Sequence, residues 1–146
     1  MTTTRERSVV LFVAFGAAGM LSAALWAQAP RTVWDGVYTE AQAARGAVLF
    51  DRDCAGCHGP SGEGGGMAPA LVESAFAANF DGQTVGDLFD RNRATMPPGK
   101  EGQMTAQQTA DITAAMLRFN KFPAGEAELP GQSMMLKAIK YVAVKP

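Results

Sequence analysis

The chain is predicted to be all-α, with three main helices followed by an extended C-terminal tail. Three observations point there. Three segments repeat apolar residues at helical spacing, and each opens on a threonine suited to cap a helix. No stretch alternates at period two, apart from a short run near residues 141–144. Only two cysteines and one histidine occur among 146 residues, and they stand together as Cys54-Ala55-Gly56-Cys57-His58, so no disulfide framework organises the fold.

The elements follow in order. Residues 1–29 have the pattern of an export signal. Arg5 and Arg7 supply a positive start, residues 9–26 are apolar and uncharged, and Ala27-Gln28-Ala29 offers a small-x-small cleavage site. Pro30 is a poor residue just after a cut, so cleavage after Ala27 is a close alternative. Left uncut, the apolar run would be long enough to anchor the chain in a bilayer. Residues 30–38 form an extended arm carrying Trp34. Thr39 and Gln42 make a capping box for a helix ending near Asp53, with Ala43, Gly46, Ala47 and Phe50 on one face. Gly46 lowers helix propensity, and close approach of a second helix would explain it.

Residues 59–67 hold five glycines without the Gly-Lys-Ser/Thr of a phosphate-binding loop, and form a loop ended by Pro69 and Leu71. Thr84 and Asp87 box a second helix whose face carries Val85, Leu88, Phe89 and Asn92; Asp87 and Arg91 are spaced as an exposed ion pair. Pro97, Pro98 and Gly99 stop it and stiffen the backbone around Met96. Thr105 and Gln108 box a third helix, with Ile112, Ala115, Met116 and Phe119 facing Gly46 and Phe50. Residues 39–120 thus form one domain, and residues 121–146 a C-terminal extension packing on it.

The Cys-x-x-Cys-His string is the attachment signature of a c-type haem. Two thiols at that spacing reach both vinyl groups, and the next residue, His58, can ligate the iron. A structural zinc site wants four Cys/His ligands and only three exist. A thioredoxin-like motif wants a βαβ context that is absent. A plain disulfide would leave His58 without a role. Export suits the motif, because bacterial haem attachment takes place outside the cytoplasm. With no second histidine, a protein-derived sixth ligand has to be something else, and a methionine is expected. Met67, Met96, Met104, Met116, Met134 and Met135 are the choices outside the leader. Met96 is favoured, since it sits on a stiffened loop far enough along to reach the opposite face; the same spacing also admits it as loop filler. Met116 belongs to a helical core face and Met104 to a staple position.

These residues resemble a class I c-type cytochrome with one haem, closest to the small cytochromes and haem domains that accompany pyrroloquinoline quinone-dependent dehydrogenases. The resemblance covers the chain beyond the leader. It rests on Val33-Trp34-Asp35-Gly36-Val37-Tyr38-Thr39, Ala44-Arg45-Gly46, the haem motif with Gly59, Ala68-Pro69-Ala70-Leu71, Thr95-Met96-Pro97-Pro98-Gly99, Asn120-Lys121-Phe122-Pro123-Ala124-Gly125 and Glu128-Leu129-Pro130. It implies the cytochrome c fold round one covalently bound haem c attached at Cys54 and Cys57, with His58 and Met96 as the iron's axial ligands. It also implies that the carbonyl of Pro69 accepts the other ring N–H of His58. The family often has an aromatic residue where Ala115 stands, so Phe119 or Met116 is expected to fill that space.

Six-coordinate His/Met iron has no open position for substrate, so the expected role is one-electron transfer without catalysis. The expected setting is the periplasm, between a dehydrogenase donor and an oxidase or another cytochrome as acceptor. Membrane contact would arise only through an uncut leader. A fixed haem subunit of a quinoprotein dehydrogenase is the alternative, ahead of a five-coordinate haem enzyme or gas sensor. Of 13 basic and 14 acidic residues, Arg5, Arg7 and Glu6 fall in the leader, leaving a net charge of −2. Nothing basic suggests nucleic acid as a partner.

Overall fold

The computed structural model describes residues 31–65 and 67–146; the leader and Pro30 lie outside the described residues. In chain order the elements are β1 (Arg31–Thr32), α1 (Glu40–Asp53), α2 (Ala55–His58), α3 (Glu73–Phe80), α4 (Val85–Thr95), α5 (Ala106–Phe119), α6 (Ser133–Leu136) and β2 (Ile139–Lys140). The fold is all-α, with α1, α4 and α5 as its long members. No helix among the described residues is long and apolar enough to cross a membrane.

The crossing of α1 over α5 is set by one glycine. A Cβ at Gly46 would collide with the backbone carbonyl of Asp111, so only hydrogen fits between the two helices. One turn on, the ring of Phe50 meets Phe119 edge-on, with centroids 5.2 Å apart. Phe119 therefore makes the aromatic contact at this crossing, while Met116 is buried with its sulfur directed to α4. Arg45 closes the crossing at the surface through Asp111 (3.2 Å) and Glu128 (2.8 Å).

All three cap threonines act at the predicted positions. Thr84 with Asp87 and Thr105 with Gln108 form reciprocal capping boxes. At α1 the box is only half formed. Thr39 accepts from the Gln42 N–H at 3.1 Å, but the Gln42 side chain does not return to the cap. It is fully buried, donates to the Leu129 carbonyl at 2.9 Å and accepts from the Leu129 N–H at 2.7 Å. Two backbone groups of the tail would otherwise be orphaned inside the core, and that need outweighs a cap bond available from water. Asp87 likewise turns to Thr84 rather than to Arg91.

The tail departs from a simple extended segment. It forms one helical turn, α6, and then β2, which pairs in parallel with β1 in the register Arg31 with Ile139 and Thr32 with Lys140. The strand lies just before the alternating run at 141–144. Beyond it, the Trp34 indole N–H donates to the Val142 carbonyl at 2.8 Å. Trp34, Phe122 and Tyr141 stack edge to face in sequence, at 4.8 and 5.2 Å. Leu129, Leu136, Ile139 and Tyr141 are all buried, so the tail completes the core rather than merely covering it.

Candidate functional site

The C-terminus of α1 delivers the motif. The Cys54 N–H donates to Phe50, and the Cys57 and His58 N–H groups both donate back to Cys54. This makes the single turn α2, which Gly59 ends with φ +79°. The turn divides the three side chains: Cys57 is exposed, Cys54 half-buried and His58 buried. The glycine loop is held to the motif by Gly64 N–H to His58 O at 2.6 Å and Leu71 N–H to Gly62 O at 2.7 Å. This brings Pro69 to the histidine. Nδ1 of His58 lies 2.8 Å from the Pro69 carbonyl, to which it donates, leaving Nε2 with its lone pair free to bind a metal.

His58 borders a cavity of about 500 Å³ that Cys54, Cys57, Pro69 and Met96 also line. Every site residue singled out in the sequence thus meets at one hollow. Its walls are mostly apolar, with Phe50 and Leu71 on one side, Phe76 and Phe80 from α3, and Leu88, Ile112 and Met116 from α4 and α5. The donor set is two free thiols, an imidazole oriented by its second nitrogen, and thioether sulfur. That chemistry and these walls fit one covalently held haem, whose faces are apolar and whose iron accepts nitrogen and sulfur. Burial, with a smaller contribution from Asp53, pushes the Cys54 thiol up to about 11.

Several lining residues escaped the sequence reading. Helix α3 has no side-chain cap, its N-cap being Val72, and the Phe76/Phe80 pair at i, i+4 was the available signal. Arg91 and Asn92 of α4 also border the cavity, where helical spacing showed a face but not what it faced; Met67 of the glycine loop, Met104 before α5 and Met116 of α5, all weighed above as ligands, border it too. A larger, open hollow of about 950 Å³ lies between α3, the end of α5 and the tail. Its rim mixes Glu73 and Asp81 with Arg118 and Lys121 and, unlike the smaller cavity, includes no histidine, cysteine or methionine among the described residues.

Residues 41–114, about half of the chain, match the family model described as cytochrome c oxidase, cbb3-type, subunit III. The crystal structure of the sulfane dehydrogenase SoxCD from Paracoccus pantotrophus shares the fold, with a TM-score of 0.52 at 23% identity over 74% of this chain. The matched region spans 61% of that chain's length. No curated protein matches the sequence.

Proposed function

Because the chain belongs to this family of c-type cytochrome domains, whose members use haem for electron transfer, we propose that it is an exported, monohaem one-electron carrier of the periplasm. In this reading Cys54 and Cys57 attach haem c, His58 and Met96 are the axial ligands, and Pro69 orients His58. Electrons come from a dehydrogenase and leave to an oxidase or another cytochrome. The observation that carries the ligand assignment is the 2.8 Å hydrogen bond from His58 to Pro69. It leaves Nε2 as the unprotonated nitrogen of a histidine that, like Met96, borders the cavity.

The bound group would supply an iron that cycles between Fe(III) and Fe(II). The residues of the chain do the rest. The Pro69 carbonyl raises the basicity of His58 and holds its ring against rotation. The apolar wall from Phe50 to Met116 excludes water and disfavours the extra positive charge of the oxidised state. Two side-chain ligands on helix-anchored segments limit reorganisation between the two states. Cys57, at the exposed rim, marks the edge where a partner would approach.

The test is spectroscopic. Denatured holoprotein should keep its haem, because thioether bonds survive unfolding. The ferric form should show the weak near-infrared band of a sulfur–iron bond, and Met96→Ala should abolish it. Immediate cyanide binding by the unaltered protein would refute the six-coordinate carrier. A second reading, a fixed haem subunit of a dehydrogenase complex, is favoured by Met134 and Met135, sequence neighbours on α6 that are both exposed, since exposed apolar side chains mark contact surfaces when they cluster.

A further inference from the structure

Four methionines border the haem cavity: Met67, Met96, Met104 and Met116. Methionine is flexible and its thioether adapts to many positions, so an apolar pocket with four of them does not by itself decide which sulfur is presented to a metal. One polar side chain stands between two of these residues. Asn92, half-buried on α4, donates from Nδ2 to the sulfur of Met116 on α5 at 3.3 Å. Its backbone carbonyl accepts from the Met96 N–H at 3.0 Å, the last helical bond before the chain turns extended at Met96. The main chain of Asn92 therefore holds Met96, and its side chain holds Met116.

We propose that Asn92 is a positioning residue that selects Met96 as the iron ligand, by tying the end of α4 to the sulfur of Met116. The inference rests on the His58/Met96 reading above and adds the device that enforces it. The hydrogen bond to the Met116 thioether holds that sulfur toward α4, and it has to break before the side chain can turn elsewhere. The same bond anchors the last turn of α4, from which Met96 departs. The sulfur of Met96 accepts no hydrogen bond among the described residues, so its lone pairs remain available. A primary amide beside apolar side chains needs a partner, and the sulfur of Met116 is the one it has in the structure. Past Met96, the loop is secured by Lys100 N–H to Pro97 O and Gly102 N–H to Arg93 O. Those bonds fix the loop to itself and to α4; the Asn92 amide reaches across to α5.

The experiment uses the ferric holoprotein as wild type, Asn92→Leu, Met116→Leu and the double variant. Two readouts are followed: the near-infrared sulfur–iron band and the rate of cyanide binding, which reports how often Met96 leaves the iron. Loss of a net hydrogen bond should raise the cyanide rate roughly two- to ten-fold in each single variant. The double variant should be no faster than the singles, because both remove the same bond. Met116→Leu conserves volume and breaks the contact from the other side, so the test does not depend on Asn92→Leu folding. A merely structural role would lower thermal stability and leave the cyanide rate unchanged, and that result overturns the proposal. So does a double variant whose effect is the product of the two singles. If Met116→Leu abolishes the band while Met96→Ala keeps it, the ligand assignment itself fails, an outcome separate from the others.

Discussion

Replacing Gly46 by alanine sets two physical effects against each other. Intrinsic propensity favours the change, since alanine exceeds glycine in a helix interior by about 1 kcal/mol. Packing opposes it. An added Cβ would overlap the Asp111 carbonyl and sit 3.0 Å from the Ile112 nitrogen. Both obstacles are backbone, so no side chain can swing aside, and α1 and α5 have to separate. Overpacking of this kind costs up to about 3 kcal/mol, and displacement would also stretch the Arg45–Asp111 pair and the Phe50–Phe119 contact. The net expectation is a loss of about 2 kcal/mol, or a fall in Tm of roughly 5–10 °C for a domain of this size. Thermal unfolding of the holoprotein followed by far-ultraviolet circular dichroism reads it directly. Gly56→Ala is the internal control, because a Cβ there meets nothing within 4 Å, and it should be neutral or slightly stabilising. A Gly46→Ala protein as stable as wild type would refute the close crossing.

Two further outcomes concern the Tyr141 hydroxyl and the Asp87 carboxyl. The Tyr141 hydroxyl is buried without a hydrogen-bond partner among the described residues, and burial pushes the phenol up to about 12. Tyr141→Phe removes an unmet desolvation cost and should stabilise the protein by about 1 kcal/mol in urea unfolding; a clear loss of stability would mean that the hydroxyl has a partner. At α4, hydrogen bonds from the Thr84 side chain and N–H hold the Asp87 carboxyl below its ordinary 3.8. The folded value is the lower one, so this stabilisation is fully present above about pH 4 and drains away as pH falls through the folded value. Asp87→Asn should cost about 1 kcal/mol at neutral pH and flatten the acid limb of a stability–pH curve; an unchanged limb would show that the cap carries no such linkage.

What could be seen in the sequence was local, and what could not was a matter of partners distant along the chain. Thr39, Thr84 and Thr105 cap helices because a hydroxyl and an N–H two or three residues on suffice, and that geometry is written into spacing. The cysteine–histidine string is equally self-contained. Gln42 has the right spacing for a cap bond, yet its amide binds Leu129, 87 positions away, and nothing local distinguishes the two uses. The pairing of β1 with β2 joins two-residue segments more than 100 positions apart, too short for any periodic signal. Arg91 shows the same limit at the site: on a bare helix its natural partner is Asp87, but Thr84 takes that carboxylate and leaves Arg91 on the cavity rim. The tail carries the same long-range dependence to the site. Its backbone satisfies Gln42, its Tyr141 touches Phe76 and Phe80, and those two rings line the cavity. The C-terminal extension is thus mechanically continuous with the wall that surrounds the cofactor, so α3, which lacks a side-chain cap of its own, depends on the tail to hold that wall in place.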